Sequence, residues 1–97
     1  MIKHTVCYKL KDRSEENCLE TQRVLLSMQG RVPQVLKVEA GIDYLHSERS
    51  YDIILQIWFE NEQAFNDYQK DPYHCSVVKP HMHAVRETSV AVDCFVD

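Results

Sequence analysis

The stretch from Tyr51 to Phe59 constrains the fold of this 97-residue chain more than any other. Its residues alternate in polarity along the whole stretch, which predicts a β-strand. One face of this strand is apolar and comprises Tyr51, Ile53, Leu55, Ile57 and Phe59. The other face carries Asp52, Ile54, Gln56 and Trp58, so it is partly apolar as well. A sheet with two apolar faces must be covered on both sides.

The neighbouring segments place this strand in one α+β domain that spans residues 1–97. Alternation predicts three further strands and helical spacing predicts the segments between them: strands over 2–10, 35–44 and 88–96, and helices over 14–30, 61–71 and 73–85. The last helix is interrupted at Pro80. The order β-α-β-β-α-β is the split arrangement of ferredoxin-like folds, with a four-stranded antiparallel sheet.

The first helix shows clear start and stop signals. Ser14 is an N-cap residue, and the two glutamates that follow it suit the positive end of a helix dipole. Gly30 closes the helix, and Pro33 prevents its continuation. An apolar stripe at helical spacing comprises Cys18, Thr21, Leu25 and Met28, and we expect Leu19 and Leu26 to widen it.

Both helices cover the same face of the sheet in this arrangement. The opposite face, with Ile54 and Trp58, would stay apolar and exposed in a monomer. A patch of this kind usually meets a partner. We therefore expect a two-fold homodimer whose interface contains Ile54 and Trp58.

Composition and charge exclude several classes of protein. The net charge of −4 argues against a nucleic-acid surface, and no apolar run is long enough for a membrane span. The N-terminus reads directly into a strand and lacks an apolar signal-peptide core. Four dispersed cysteines form no C-x-x-C pair, so we expect reduced thiols in a cytoplasmic protein.

A histidine and a tyrosine near the second helix, together with one histidine in the first strand, form a plausible proton-handling set. Tyr68 ends a predicted helix, Pro72 stops it, and His74 opens the next segment. His74 could act as a general base and Tyr68 as a hydrogen-bond donor to a developing oxyanion. His4 could join them in a pocket. The alternative is that both histidines are structural residues with satisfied hydrogen bonds.

Two further tyrosines and four potential metal ligands complete the candidate residues. Tyr8 and Tyr51 are aromatic residues that line the core, and each can contact a ligand with its polar tip. The four potential ligands are His74, Cys75, His81 and His83. Their spacing does not match a metal site, and no histidine is singled out as a haem ligand, so we expect no metal and no cofactor.

Short motifs along almost the whole chain are similar to those of one family. They are Met1-Ile2-Lys3-His4, Lys9-Leu10-Lys11-Asp12, Val32-Pro33, Val38-Glu39-Ala40-Gly41, Tyr51-Asp52, Phe59-Glu60, Tyr68, Asp71-Pro72-Tyr73-His74 and Val92-Asp93. In this order they resemble the stress-responsive α/β-barrel domain (Dabb) family. The resemblance implies a homodimer in which two sheets face each other to form a dimeric α/β barrel, with the helices outside.

The resemblance also implies a pocket between the sheet and the helices of each subunit. One member of the family, a plant polyketide cyclase, closes a ring there by an intramolecular aldol reaction. Its catalytic tyrosine and histidine correspond to Tyr68 and His74, and a pocket histidine corresponds to His4. Ile53 and Asp71 stand where that cyclase has histidines. Ile53 would therefore make the pocket wall more apolar.

Two functions from different classes follow. The first is a small-molecule-binding dimer with cofactor-free cyclase-like or lyase-like chemistry at His74 and Tyr68, acting on a small apolar or polyketide-like ligand. The second is a non-catalytic, stress-associated dimer. A cavity of a few hundred cubic ångströms reached by His74 would favour the first. A filled core would favour the second.

Overall fold

The computed structural model describes all of residues 1–97, which form four β-strands and three α-helices. In chain order these are β1 (Ile2–Leu10), α1 (Glu15–Leu26), β2 (Lys37–Ile42), β3 (Ile53–Phe59), α2 (Glu62–Tyr68), α3 (Lys79–Val85) and β4 (Arg86–Phe95). A π-helical segment, His74–Val78, leads directly into α3. The predicted order of elements is confirmed. None of the helices has the length and apolar character needed to cross a membrane.

The four strands form one antiparallel sheet in the order β2-β3-β1-β4. The central strand β1 pairs with β3 from Ile2 opposite Phe59 to Tyr8 opposite Ile53. It also pairs with β4, where His4 lies opposite Asp93. Directly opposite residues project to the same face of an antiparallel sheet. The register therefore brings His4, Tyr8 and the β4 residues opposite them to one face.

That inner face packs against the helices and forms the core. In β3, Ile53, Leu55, Ile57 and Phe59 are at most 1% exposed, whereas Ile54 between them is 39% exposed. Fully burying an aliphatic or aromatic side chain of this size contributes roughly 1.5–3 kcal/mol. The predicted division of β3 into a buried and an exposed face is confirmed.

The other face of the sheet has no covering element in this chain. We call it the outer face, and its apolar residues are Cys7, Ile54, Trp58, Val90 and Val92. Val90 is 50% exposed and Val92 is 66% exposed. Lys3 and Lys37 each place their ammonium nitrogen 5.2 Å from the centre of the Trp58 ring. The outer face is thus an apolar surface, and lysine side chains lie over its one tryptophan.

The first helix is shorter than predicted, and its buried face is narrower. Ser14 caps α1 by accepting a hydrogen bond from the backbone N–H of Asn17, as its sequence position predicts. The helix ends at Leu26, and Gly30 adopts a positive φ of 83° in the turn beyond it. The prediction that Leu19 and Leu26 widen the apolar stripe is wrong, because they are 51% and 40% exposed. Val24 lies on the buried face instead.

A buried carboxylate joins three elements at one end of the sheet. Asp52, 3% exposed, accepts a hydrogen bond from the backbone N–H of Leu10 at 2.8 Å. Its other oxygen accepts from Nε of Arg13 at 2.9 Å. The end of β1, the segment before α1 and the start of β3 are therefore held together by one side chain.

The helical stretch from Pro72 to Val85, which includes the π-helical segment and α3, owes its shape to two prolines. Pro72 opens it at the first helical position, where the missing N–H has no cost. The Asp71 carboxylate caps it by accepting from the backbone N–H of His74 at 3.0 Å. The backbone N–H of Lys79 donates to the His74 carbonyl five residues back, which is the π-helical bond. Pro80 follows immediately, and its missing N–H interrupts the α-helical pattern as predicted.

Candidate functional site

A cavity of about 260 Å³ lies between the inner face of the sheet and the helical residues between Tyr68 and His83. The sheet side of its wall includes Val6, Tyr8 and Leu55, and the helical side includes Tyr68 and His74. Tyr68, His74 and Tyr8, three of the residues singled out from the sequence, therefore line one space. We call this space the His74 cavity.

The ring of His74 is oriented by a backbone carbonyl. Nδ1 lies 3.1 Å from the carbonyl oxygen of Tyr68. Because a carbonyl only accepts, the neutral ring must carry its hydrogen on Nδ1, and the lone pair is then on Nε2. Nε2 makes no hydrogen bond within the chain. The side chain thus has one nitrogen held in place and one nitrogen free to accept a proton.

Burial keeps this imidazole neutral. His74 is 7% exposed. Burial lowers the pKa of His74 below its ordinary value, and the hydrogen bond to the Tyr68 carbonyl only partly opposes the shift. Lys79 lowers the pKa further by charge repulsion, whereas Asp71 raises it. At neutral pH the ring is therefore in the form that a general base requires.

The Tyr68 ring stacks on His74. The ring centres are 4.0 Å apart and the planes differ by 21°. Tyr68 is 2% exposed, and its hydroxyl has only the sulfur of Met28, at 3.9 Å, as a partner. Burial raises the pKa of the Tyr68 phenol far above physiological pH. The hydroxyl is therefore a permanently protonated donor with only a weak acceptor in the chain.

Tyr8 adds a second phenol from the sheet. Burial raises the pKa of the Tyr8 phenol, and the nearby charge of Arg86 opposes part of this shift. The resulting pKa is about 12. The Tyr8 hydroxyl has no hydrogen-bond partner in the chain, although it lines the cavity. The cavity wall thus includes two protonated phenols, of which the Tyr8 hydroxyl has no partner in the chain and the Tyr68 hydroxyl is turned to Met28.

His4 lies beside this set but does not line the cavity. Its ring centre is 6.3 Å from that of Tyr68 and 5.2 Å from that of Phe65. Its Nδ1 is hydrogen-bonded to the carboxylate of Asp93, which lies opposite it on β4. Asp93 and Phe65 line a neighbouring cavity of about 430 Å³ near the end of the sheet. The rings of His4, Tyr68 and His74 therefore form a continuous row.

Tyr51 and Ile53 lie away from the His74 cavity. Tyr51 precedes β3, and the Lys9 ammonium nitrogen lies 4.9 Å from its ring centre. Ile53 is 1% exposed and belongs to the core. Both line a separate cavity of about 360 Å³ together with Cys7 and Arg49. The structure does not place either residue in the lining of the His74 cavity.

Sequence reasoning missed the cationic side of the His74 cavity. Lys79 and Arg86 line it, together with His83 and Ser89. The predicted start of the last strand was residue 88, whereas β4 begins at Arg86, directly after α3. Lys79 follows the π-helical segment, whose altered spacing has no signature beyond Pro80. No group of three or more histidine, cysteine, aspartate or glutamate side chains is arranged to hold a metal ion.

Comparison with solved structures shows the same fold. A dimeric ferredoxin-like protein of unknown function from Bacteroides fragilis is 22% identical with a TM-score of 0.79, and the match covers 98% of this chain and 95% of that one. A Dabb family protein from Mesorhizobium loti is also 22% identical, with a TM-score of 0.75 and the same coverage. A hydroxynitrile lyase from Passiflora edulis is 15% identical, with a TM-score of 0.82 and coverage of 99% and 93%.

No curated protein matches the chain in sequence. The family is shown by a different comparison. The model of the stress responsive A/B barrel domain matches residues 2–96, so this chain belongs to that family, Dabb.

Proposed function

We propose that the protein is a homodimer that binds a small molecule in the His74 cavity and catalyses a proton transfer there, as in a cyclase or a lyase. One observation carries this proposal. His74 is neutral, its Nδ1 is held by the Tyr68 carbonyl, and its Nε2 has no partner in the chain. A nitrogen that is free to accept a proton, on a residue that lines a cavity, is what a general base needs.

The chemistry can be written with the residues of this chain alone. Nε2 of His74 removes a proton from a carbon next to a carbonyl, and the C–H electron pair moves onto the carbonyl oxygen. A phenol, Tyr68 or Tyr8, donates a hydrogen bond to that enolate oxygen. The enolate carbon then attacks a second carbonyl, and the imidazolium returns its proton to the new alkoxide. In the lyase direction Nε2 removes a hydroxyl proton instead, the carbonyl forms as the adjacent carbon–carbon bond breaks, and the imidazolium protonates the departing carbanion or cyanide. The Tyr68 carbonyl stabilises the imidazolium by accepting from Nδ1.

The walls of the cavity suit a small apolar or polyketide-like ligand. Val6, Leu55, Val78 and Met82 provide apolar lining between the polar groups. A few convergent polar groups in an apolar cavity are typical of small-molecule sites. The structural likeness to a hydroxynitrile lyase supports lyase-like chemistry on this fold.

The outer face supports the homodimer. Ile54 and Trp58, with Val90 and Val92, form an apolar surface that the chain leaves uncovered. Similar structures from Bacteroides fragilis and Thermobifida fusca are dimeric. Two copies joined through this face would cover both apolar surfaces at once.

Carbon-acid exchange tests the catalytic proposal without a known substrate. Phenylacetone in deuterium oxide reports proton abstraction by NMR, and mandelonitrile reports lyase cleavage by the absorbance of benzaldehyde. We expect the protein to accelerate at least one reaction, and His74→Gln to reduce that acceleration by about 100-fold or more. His46→Gln, at an exposed loop position, is the matched control. No acceleration of either reaction, or full activity in His74→Gln, would contradict catalysis at this site.

A further inference from the structure

The His74 cavity is lined by cations and contains no carboxylate. Lys79 and Arg86 contribute to its wall, and none of its lining residues is aspartate or glutamate. The chain as a whole has a net charge of −4, so this local excess opposes the overall balance. The nearest acid, Asp71, turns its carboxylate to the backbone N–H of His74 and does not line the cavity.

Neither Lys79 nor Arg86 has an anionic partner. Arg86 donates to the Ser89 hydroxyl at 3.1 Å, and Lys79 donates to the carbonyl of Gln69 at 3.4 Å. None of the ion pairs of the chain includes either residue. Both side chains are half-buried. Their charges are thus partly removed from water without a compensating negative charge.

The other lysines and arginines differ from these two. Six of them contact a carboxylate or lie over an aromatic ring: Lys3, Lys9, Arg13, Arg23, Arg31 and Lys37. The remaining three, Lys11, Arg49 and Lys70, are exposed. Lys79 and Arg86 are therefore the half-buried cations that lack both kinds of partner. They also share one cavity.

We propose that the ligand of this cavity carries a carboxylate, which Arg86 and Lys79 bind. The inference rests on the proposed ligand pocket and adds the charge of what it binds. The planar guanidinium of Arg86 suits the two oxygens of a carboxylate. The apolar wall of Val6, Leu55, Val78 and Met82 holds the remainder of the ligand. The reacting carbon then lies near Nε2 of His74.

The cations also serve the chemistry at His74. Negative charge that develops on a ligand oxygen during proton abstraction is stabilised by nearby fixed positive charge. The charge of Lys79 also disfavours the protonated imidazole before the reaction and so helps to keep His74 available as a base. An anionic ligand thus binds where its own reaction needs positive charge.

A pair of probes that differ only in charge tests this inference. Phenylacetate and phenylacetamide have nearly the same shape, and their binding is measured by calorimetry and by the NMR shifts of the His74 ring. We expect phenylacetate to bind at least about tenfold more tightly. Arg86→Gln should reduce phenylacetate affinity about tenfold and leave phenylacetamide affinity unchanged, which also shows that the variant is folded. Lys79→Gln should act in the same direction.

Lys70→Gln is the matched control, because it removes the same charge close by in sequence at an exposed position outside the cavity. It should leave both affinities unchanged. Equal binding of the two probes, with a shift of the His74 signals, would overturn the carboxylate site but leave the pocket intact. Equal losses of phenylacetate affinity in Arg86→Gln, Lys79→Gln and the control Lys70→Gln would also overturn the carboxylate site. Binding of neither probe at millimolar concentration would contradict both the carboxylate site and the proposed pocket.

Discussion

His74 is held by two contacts that leave its reactive nitrogen free. Its backbone N–H donates to Asp71 and its Nδ1 donates to Tyr68. A glutamine at this position can keep one of these hydrogen bonds. We therefore expect His74→Gln to preserve the thermal midpoint within a few degrees while it slows proton transfer by about 100-fold or more. Calorimetry and exchange rates on the same sample check this. A loss of about 1–3 kcal/mol in stability with unchanged rates would instead assign His74 a structural role.

The lowered pKa of His74 also predicts a pH dependence of stability. Below pH 6.5 the unfolded state binds a proton at this residue more readily than the folded state does. The contribution of His74 to stability is therefore present above pH 6.5 and is lost as the pH falls toward the folded-state pKa. Urea unfolding at pH 7.5 and pH 5 should show a larger loss for the unmodified protein than for His74→Gln. Equal losses would contradict a depressed pKa.

Removing the Tyr68 hydroxyl separates its chemical role from its packing. Tyr68→Phe keeps the ring that stacks on His74 and loses only a donor whose partner is the sulfur of Met28. We expect little change in stability and a slower exchange of phenylacetone. Tyr8→Phe is the companion variant, because Tyr8 also lines the cavity and its hydroxyl has no partner in the chain. Unchanged rates in both variants would remove the phenols from the mechanism.

The sequence predicted the residues of this site better than their partners. Helical phase and the proline stop were enough to place Tyr68 and His74 near each other. The pairing of His4 with Asp93 depends on the register between β1 and β4, which joins residues at opposite ends of the chain. The cationic wall depends on where the π-helical segment ends. Such long-range alignments leave no local pattern of residue types.

Among the elements, the junction of β1, α1 and β3 depends on Asp52. Asp52→Ala would leave the buried N–H of Leu10 and the Arg13 guanidinium without their acceptor. We expect a loss of about 1–3 kcal/mol in the free energy of unfolding, measured by urea titration. Glu20→Ala breaks the exposed ion pair with Arg23 and is the control, with little expected change. An equally small effect of Asp52→Ala would show that this junction does not depend on the carboxylate.

The elements themselves were largely predictable, because most of them follow local rules. Alternation identified the buried face of β3, and Asn61 caps α2 as its position suggests. The errors occurred where tertiary contacts decide the outcome. Asp52 was assigned to a strand face, although its buried hydrogen bonds place it at the junction. Leu19 and Leu26 were assigned to the core, although the sheet contacts only a narrow stripe of α1.

For the whole molecule, the uncovered outer face leads to a prediction about assembly. We expect the protein to be a dimer in light scattering at micromolar concentration. Ile54→Asp and Trp58→Glu should each give monomer or aggregate, because a charge would be buried in the interface. Leu19→Asp introduces the same charge at an exposed apolar position on the helical side, and it should remain dimeric. A stable monomer of the unmodified protein would contradict an interface on the outer face.

The single wide turn before α3 also sets the rotational phase of the residues that follow it. A π-helical turn holds one more residue than an α-helical turn, so everything after Val78 is rotated by about 100° relative to an uninterrupted α-helix. His74 belongs to the phase before the turn, and Lys79 and Met82 belong to the phase after it. His74 and the cavity wall at Lys79 and Met82 are thus carried by one continuous backbone, with the wall residues rotated relative to His74. Substitutions beyond the turn can reshape the wall while the imidazole keeps its orientation.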